Sequence, residues 1–295
     1  MKPLSEMNVI DNYLATVSMG HQQFGKEITG IILKPIIGRD VMISEAVVES
    51  PIFAADPKKH GVRLDAYVTE DNNKTEVGYG NIYDLEPDQK SGEKEILPLR
   101  SRFYHSMIDK RTLDAGDSYK NLPSAWVIFI LTYDPFGKDR MLYTIRNKCI
   151  EEPEMEYNDR STTLYLYVNG KNTENCSREL QELLQYIKES TQENACNPDL
   201  KKLHTYITNI KSEASTQEGY IMWSAFIESE RTEAAEEANK RADAEKNRAD
   251  AEKNRADTEK NRADTEKNRA DAAESEILEL RAEISRLKRN GYGSN

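Results

Sequence analysis

The sequence predicts a mixed α/β body followed by a long, charged C-terminal helix. Three observations carry that prediction. Residues 62–69 alternate apolar and polar side chains, and Trp126–Tyr133 is an unbroken apolar run. From Tyr220 to Asn290 there is neither glycine nor proline, and the second half of that stretch repeats a charged heptad. The first pattern is that of a half-buried strand, the second of a strand covered on both faces, the third of a continuous helix.

The 295 residues suit one or two domains, at about 100–200 residues each. Charged residues make up 32% and apolar ones 37%, too polar a mixture for a single globular core. Residues 231–290 hold 15 Lys/Arg against 16 Asp/Glu, leaving 26 against 36 for the rest. The acidity therefore belongs to the body, and the tail is dense in charge but balanced. No run of about 18 apolar residues is present, and the first 15 residues lack the apolar core of a signal peptide, so a cytoplasmic protein is expected. Cys149, Cys176 and Cys196 show no paired spacing, which argues against a disulfide framework or a zinc ribbon. An acidic body excludes general polyanion binding, so any contact with DNA must use a local basic patch.

Along the chain, Gln22–Ile37 carries Phe24, Ile28, Ile31, Ile32 and Leu33 near helical spacing, ended by Pro35 and Gly38. Val41–Glu49 reads as a strand. Val62, Leu64, Ala66 and Val68 share one face of the next strand, with Arg63, Asp65, Tyr67 and Thr69 on the other. The polar run Glu70–Thr75 supplies a turn, and Glu76–Glu86 returns as the second strand of an antiparallel hairpin. Leu97–Leu113 is helical, with Leu99, Phe103, Met107 and Ile108 as its apolar side. After Trp126–Tyr133 comes a turn at Asp134–Gly137, expected to fix the sheet edge, then strands at Met141–Ile145 and Thr163–Val168. From Ser177 onward the pattern is helical. Met222, Trp223 and Phe226 are expected to dock the root of the tail. The expected division is a core over 1–175, a helical subdomain over 176–230, a heptad-repeat helix over 231–290 and a disordered end over 291–295.

The heptad repeats start at Arg241, Arg248, Arg255 and Arg262 and decay from Arg269. With Ala242, Ala249, Ala256, Ala263 and Ala270 as a, the register continues through Ile277 and Ile284. The d positions are Glu245, Glu252, Glu259, Glu266, Ala273, Leu280 and Leu287. Ile at a with Leu at d favours a parallel two-stranded coil, so a homodimer through Ile277, Leu280, Ile284 and Leu287 is expected. The earlier repeats are expected to be supported along their own length by pairs such as Arg241–Glu245 and Glu252–Arg255, each worth about 0.2–0.5 kcal/mol. Equal acids and bases in each repeat argue against a basic DNA-reading zipper.

Parity places Asp84, Glu86 and Asp88 on one face of the second hairpin strand, beside Asp65 on the first. Carboxylates gathered from adjacent strands make an oxygen-rich site suited to Mg²⁺. On the helix that follows, Arg100, Tyr104 and Arg111 share a face that presents positive charge to DNA.

The segments Gly61–Tyr67 (Gly-Val-Arg-Leu-Asp-Ala-Tyr), Ile82–Glu86 (Ile-Tyr-Asp-Leu-Glu) and Leu97–Tyr104 (Leu-Pro-Leu-Arg-Ser-Arg-Phe-Tyr) occur in that order. Val127–Ile130, Tyr133–Lys138, Arg146–Cys149 with Glu151, Glu152 and Pro153, Asn158–Asp159 and Val168–Gly170 follow. Together these blocks resemble the bacterial PD-(D/E)XK nuclease family transposases, the recombination-promoting nucleases, over about residues 8–190. The resemblance implies a restriction-endonuclease-like core, a short mixed sheet flanked by helices. It implies metal carboxylates at Asp65 and Glu86, with Mg²⁺ or Mn²⁺ as cofactor, and a third catalytic position at Asp88, where the family commonly has Lys or Gln. An acid near the first helix often completes such sites, and Asp11 and Glu27 are the candidates. Arg100, Arg102, Tyr104 and Arg111 are the expected DNA contacts. His105, where relatives often carry Gln, is expected to be structural. The expected activity is metal-dependent hydrolysis of DNA linked to recombination or mobile-element movement. The alternative is a catalytically degenerate, oligomeric DNA-binding or regulatory module of the same fold, which Asp88 and the acidic body favour.

Overall fold

The computed structural model describes residues 2–52, 62–71, 80–89 and 91–291. The chain divides into two compact units, Met1–Ser224 and Ala225–Asn295.

A short helix, α1 (Asn12–Met19), leads into α2 (Gly25–Ile37). Ile28, Ile31, Ile32 and Leu33 are buried at the spacing of one helical face. The helix runs two residues past Pro35, and Gly38 closes it with φ +81°, a left-handed conformation that glycine adopts without Cβ strain. Six strands follow: β1 (Ile43–Ile52), β2 (Val62–Glu70), β3 (Asn81–Asp88), β4 (Ser124–Leu131), β5 (Leu142–Ile145) and β6 (Ser161–Tyr167). The sheet order is β1-β2-β3-β4-β6-β5. β1, β2 and β3 are antiparallel neighbours, β4 lies parallel to both β3 and β6, and β5 returns antiparallel on β6. The expected hairpin is therefore present, its second strand starting at Asn81; most of the expected turn lies outside the described residues.

β4 is central, and both its faces are covered, as its continuous apolar sequence requires. On one face Ile128 and Ile130 join Ala66, Val68, Tyr83, Leu85, Leu164 and Leu166 in a core shared with α1 and α2. α4 (Arg178–Lys188) and α5 (Pro198–Ser212) add Leu180, Leu183, Leu184, Leu203, Ile207 and Ile210 to that same core. Their first turns are capped by the side chains of Ser177 and Asn197, which accept from Leu180 N and Leu200 N. On the other face Val127, Phe129 and Leu131 pack with Tyr67, Ile82 and Tyr165 beneath α3 (Leu97–Thr112). Each fully buried Leu, Ile or Phe of this kind contributes about 1.5–3 kcal/mol.

The inward face of α3 keeps Phe103, Met107 and Ile108 of the expected set and departs from it at Leu99. Leu97, Ser101, Tyr104, Met107 and Ile108 are buried, whereas Leu99 is exposed. Arg100 turns inward to the acids of β3, and Tyr104 to Arg100 and the Phe129 ring, pairings that hydrophobic periodicity does not register.

The last helix, α6, runs from Ala214 to Gly291. At its start Tyr13 Oη donates to the Thr216 carbonyl at 2.7 Å, and Tyr220 Oη donates to the Lys2 carbonyl at 2.6 Å. Trp223 packs on Tyr13 with ring centroids 5.2 Å apart, but Met222 and Phe226 are exposed, so of the three expected docking residues only Trp223 serves. Along the helix Arg241 pairs with Glu237, one turn earlier, rather than with Glu245. No helix of the described residues is long and apolar enough to cross a membrane.

Candidate functional site

β2 and β3 run in a register that pairs Ala66 with Leu85 and Tyr67 with Asp84. One step further, Asp65 stands opposite Glu86, and Glu86 Oε1 accepts the Asp65 backbone N–H at 2.8 Å. The even residues of β3 all point toward α3, so Asp84, Glu86 and Asp88 line up on one face, all three buried. The structure thus brings together Asp65, Glu86 and Asp88, and adds Asp84, which parity had placed on this face without a role.

α3 crosses this face with Arg100. Its Nη1 donates to Asp88 Oδ2 at 2.6 Å, and its Nη2 lies 3.6 Å from Glu86 Oε2. Nη2 also donates to Tyr104 Oη at 3.3 Å, and the guanidinium sits 5.4 Å above the Phe129 ring. Asp88 therefore does not add an uncompensated charge: a cation delivered by a helix twelve residues away in sequence meets it. Of the expected DNA contacts, Arg100 is held by these acids and Tyr104 is buried, with its phenol pushed up to about 12 by burial. Arg111 lies 4.5 Å above the Tyr67 ring, and Arg102 is exposed on the outer side of α3.

Asp84 is the anomaly of the cluster. It is fully buried, and neither carboxylate oxygen has a hydrogen-bond partner. A second buried carboxylate on the same sheet shows what satisfaction looks like. Glu70 accepts from Arg39 at 2.8 Å, Asn81 at 2.7 Å and Tyr83 at 2.8 Å. Burial alone would raise the Glu70 pKa, yet these donors hold it below the ordinary value. For Asp84, burial and then the neighbouring Glu86 and Asp65 charges push the carboxyl well above its usual range. Burial and Asp65 likewise raise Glu86 to about 8, against the pull of the Asp65 N–H and Arg100. An unpaired buried carboxylate costs several kcal/mol, so this cluster needs a proton or a cation.

The donors are all carboxylate oxygens, which suit a hard divalent ion such as Mg²⁺ better than a soft one. Asp84, with both oxygens free of donors, is the buried group that such an ion would satisfy. Among the described residues no three acidic, His or Cys side chains already stand at cage spacing, so binding would have to draw the carboxylates together.

The two candidates for a further acid separate cleanly. Glu27 is engaged on the other side of the sheet by Lys202 and Tyr206 of α5. Asp11 instead reaches the end of β3: Gln89 Nε2 donates to Asp11 Oδ1 at 3.3 Å and to the Ile10 carbonyl at 2.8 Å. Asp11 also takes Lys2 Nζ at 2.8 Å and the Asn8 N–H at 2.7 Å, so its local role is to cap and tie the N-terminal segment.

His105 bridges α3 to β6, its two ring nitrogens lying 3.2 Å from Ser161 Oγ and 3.0 Å from Thr163 Oγ1. Burial drops its pKa to about 4, so it is a neutral structural residue. The Asp134 turn is structural too, its carboxylate accepting from the Phe136 and Asp139 N–H groups and from Tyr143 Oη. Comparison with family models, with curated proteins and with solved structures finds no match to this chain.

Proposed function

We propose that this protein is a Mg²⁺-dependent DNA endonuclease with a restriction-endonuclease-like core, acting in the cytoplasm in DNA breakage linked to recombination or mobile-element movement. The observation that carries this reading is the facing pair Asp65 and Glu86 on adjacent strands, joined by the 2.8 Å Asp65 N–H to Glu86 bond, with the donor-free carboxylate of Asp84 beside them. The resemblance to the PD-(D/E)XK nuclease family transposases points to the same two carboxylates.

In this reading Asp65 and Glu86 hold the ion, and water is the nucleophile, with no covalent intermediate. A bound divalent ion supplies Lewis-acid polarisation of the phosphodiester and a lowered pKa for the attacking water. Arg100, fixed by Asp88, balances the Glu86 charge and supplies a cation where the family pattern has Lys or Gln. Arg102 and Arg111, both exposed on α3, are the groups able to meet a phosphate directly. Self-association through Ile277, Leu280, Ile284 and Leu287 completes the proposed assembly; all four are exposed in the single chain.

The test is conversion of supercoiled plasmid to nicked product in Mg²⁺ or Mn²⁺. Asp65→Ala and Glu86→Ala are expected to lose at least about 100-fold in rate, which corresponds to roughly 2.7 kcal/mol of transition-state stabilisation. Equal cutting by either variant removes the site assignment. A second reading, a degenerate DNA-binding or regulatory module, is favoured by one observation: the 2.6 Å Arg100–Asp88 pair ties down the third catalytic position. It wins if the wild-type chain binds DNA and cuts it with no divalent ion.

A further inference from the structure

The distal part of α6 changes two properties at the same residue. Over the first four repeats the d positions are Glu245, Glu252, Glu259 and Glu266 against alanines at a. From Arg269 onward the seam becomes Ala270 and Ala273, Ile277 and Leu280, then Ile284 and Leu287. The apolar residues of that seam lie on open helix surface, with Ile277 48%, Leu280 52%, Ile284 52% and Leu287 64% exposed. An apolar stripe at a and d on an isolated helix has buried nothing until a second helix covers it.

The flanking charges say which helix. In a parallel two-stranded coil each g residue faces the e residue five positions later on the partner, and these pairs set orientation and partner choice. In the first four repeats the g residues are Arg241, Arg248, Arg255 and Arg262, and the facing e residues are Lys246, Lys253, Lys260 and Lys267. Every such pair is base on base, around a seam of facing glutamates. At Arg269 the pattern inverts. Arg269 faces Glu274, Glu276 faces Arg281, and Glu283 faces Lys288, three successive pairs of opposite sign. An antiparallel partner would instead bring g against g and e against e, setting Glu276 against Glu283 and Arg281 against Lys288. The repeats before Arg269 have no such need of a partner, since each carries acids and bases three and four residues apart along its own surface.

We propose that α6 pairs with a second copy of this chain as a parallel, in-register two-stranded coil confined to Arg269–Lys288, and that the Arg-Ala-Asp repeats before it remain unpaired helices. The proposal rests on the self-association reading above and adds its register, its boundary and the charge pairs that fix the parallel orientation. Like charges at e and g and glutamates at d exclude the four repeats, over roughly 40 Å of helix at 1.5 Å per residue. The repeats therefore set a distance before the zipper without joining it.

The experiment uses the full-length chain. Sedimentation velocity is expected to show a concentration-dependent dimer. Glu276→Lys with Glu283→Lys weakens it at least tenfold, and adding Arg281→Glu with Lys288→Glu restores it. Mild oxidation joins Leu280→Cys chains, whereas Ala256→Cys chains and the wild type, which carry the same three native cysteines, stay apart. A chain that is monomeric at every concentration, with no cross-link at position 280, overturns both the self-association reading and this proposal. A dimer indifferent to the charge reversals, or one that cross-links as readily at position 256, leaves self-association standing and overturns the parallel distal zipper.

Discussion

Asp84 and Glu70 are both buried carboxylates on one sheet, and the contrast between them sets the behaviour of the cluster. Glu70 has three donors, whereas Asp84 has none. Asp84→Asn keeps the shape, takes away the need for a proton or a cation and offers an amide N–H₂ toward Glu86, so it is expected to stabilise the metal-free chain by about 1–3 kcal/mol in urea unfolding. A less stable variant would mean that a donor satisfies Asp84 after all. The raised pKa of Glu86 makes a second expectation, with a definite sign. Its folded value of about 8 lies above the ordinary carboxyl value of 4.5, so between those limits the folded state holds more protons than the unfolded one. This contribution to stability is complete below about pH 4.5 and is lost as pH rises through 8. His105 acts oppositely, because its folded value of about 4 lies below the ordinary 6.5, so its contribution is present above 6.5 and lost as pH falls toward 4. The two slopes oppose each other between 4.5 and 6.5, where single variants separate them. Melting temperature against pH is expected to decline less steeply above pH 6.5 in Glu86→Gln, the remainder belonging to Asp84, whose carboxyl is raised too, and to lose part of its acid limb in His105→Gln. A decline of unchanged steepness in Glu86→Gln would assign it to another group.

At the scale of the element, the hairpin was legible because strand parity is a period-two rule that one residue's error would have inverted. Parity places Asp84, Glu86 and Asp88 on one face of β3 beside Asp65, and the Asp65 N–H to Glu86 bond and the Arg100 pairs to Glu86 and Asp88 agree with it. α3 was legible as a helix but not in its orientation. Apolar spacing gives Leu99, Phe103, Met107 and Ile108 as its inward side; the last three do face the core, but Leu99 is exposed and the helix also buries Tyr104 and half-buries Arg100. A guanidinium goes inward only where acids and an aromatic ring receive it, and those lie on β3 and β4, far away in sequence. For the same reason sequence alone gives Arg100 as a surface cation, whereas the structure half-buries it against Asp88 and Glu86. Asp84 was visible but unassigned, since burial without a donor is a property of the packed sheet and not of any local pattern. The His105 bridge to Ser161 and Thr163 likewise joins residues more than fifty apart.

At the scale of the whole molecule, the excess of charge that rules out a single globule is confined to a helix on which the body's core does not draw. Thr216 is the last buried residue among those described, and the aromatic contacts at the root of α6 end with Trp223. From Glu228 to Lys288 the side chains are exposed, and the repeats place acids and bases three and four residues apart along the helix. A chain ending at Lys240 therefore keeps Tyr13, Thr216, Tyr220 and Trp223 in place and loses both the repeats and the zipper. It is expected to melt within a degree or two of the full-length chain, because a surface segment without buried partners contributes only tenths of a kcal/mol to the body. It is also expected to sediment as a monomer, since Ile277, Leu280, Ile284 and Leu287 go with the removed segment. If plasmid nicking per chain survives in this monomer, the cluster on β2 and β3 is complete within one copy. If the melting temperature is kept but nicking is lost, the copies must act together, and the helix that the body does not need for folding is what it needs for cutting.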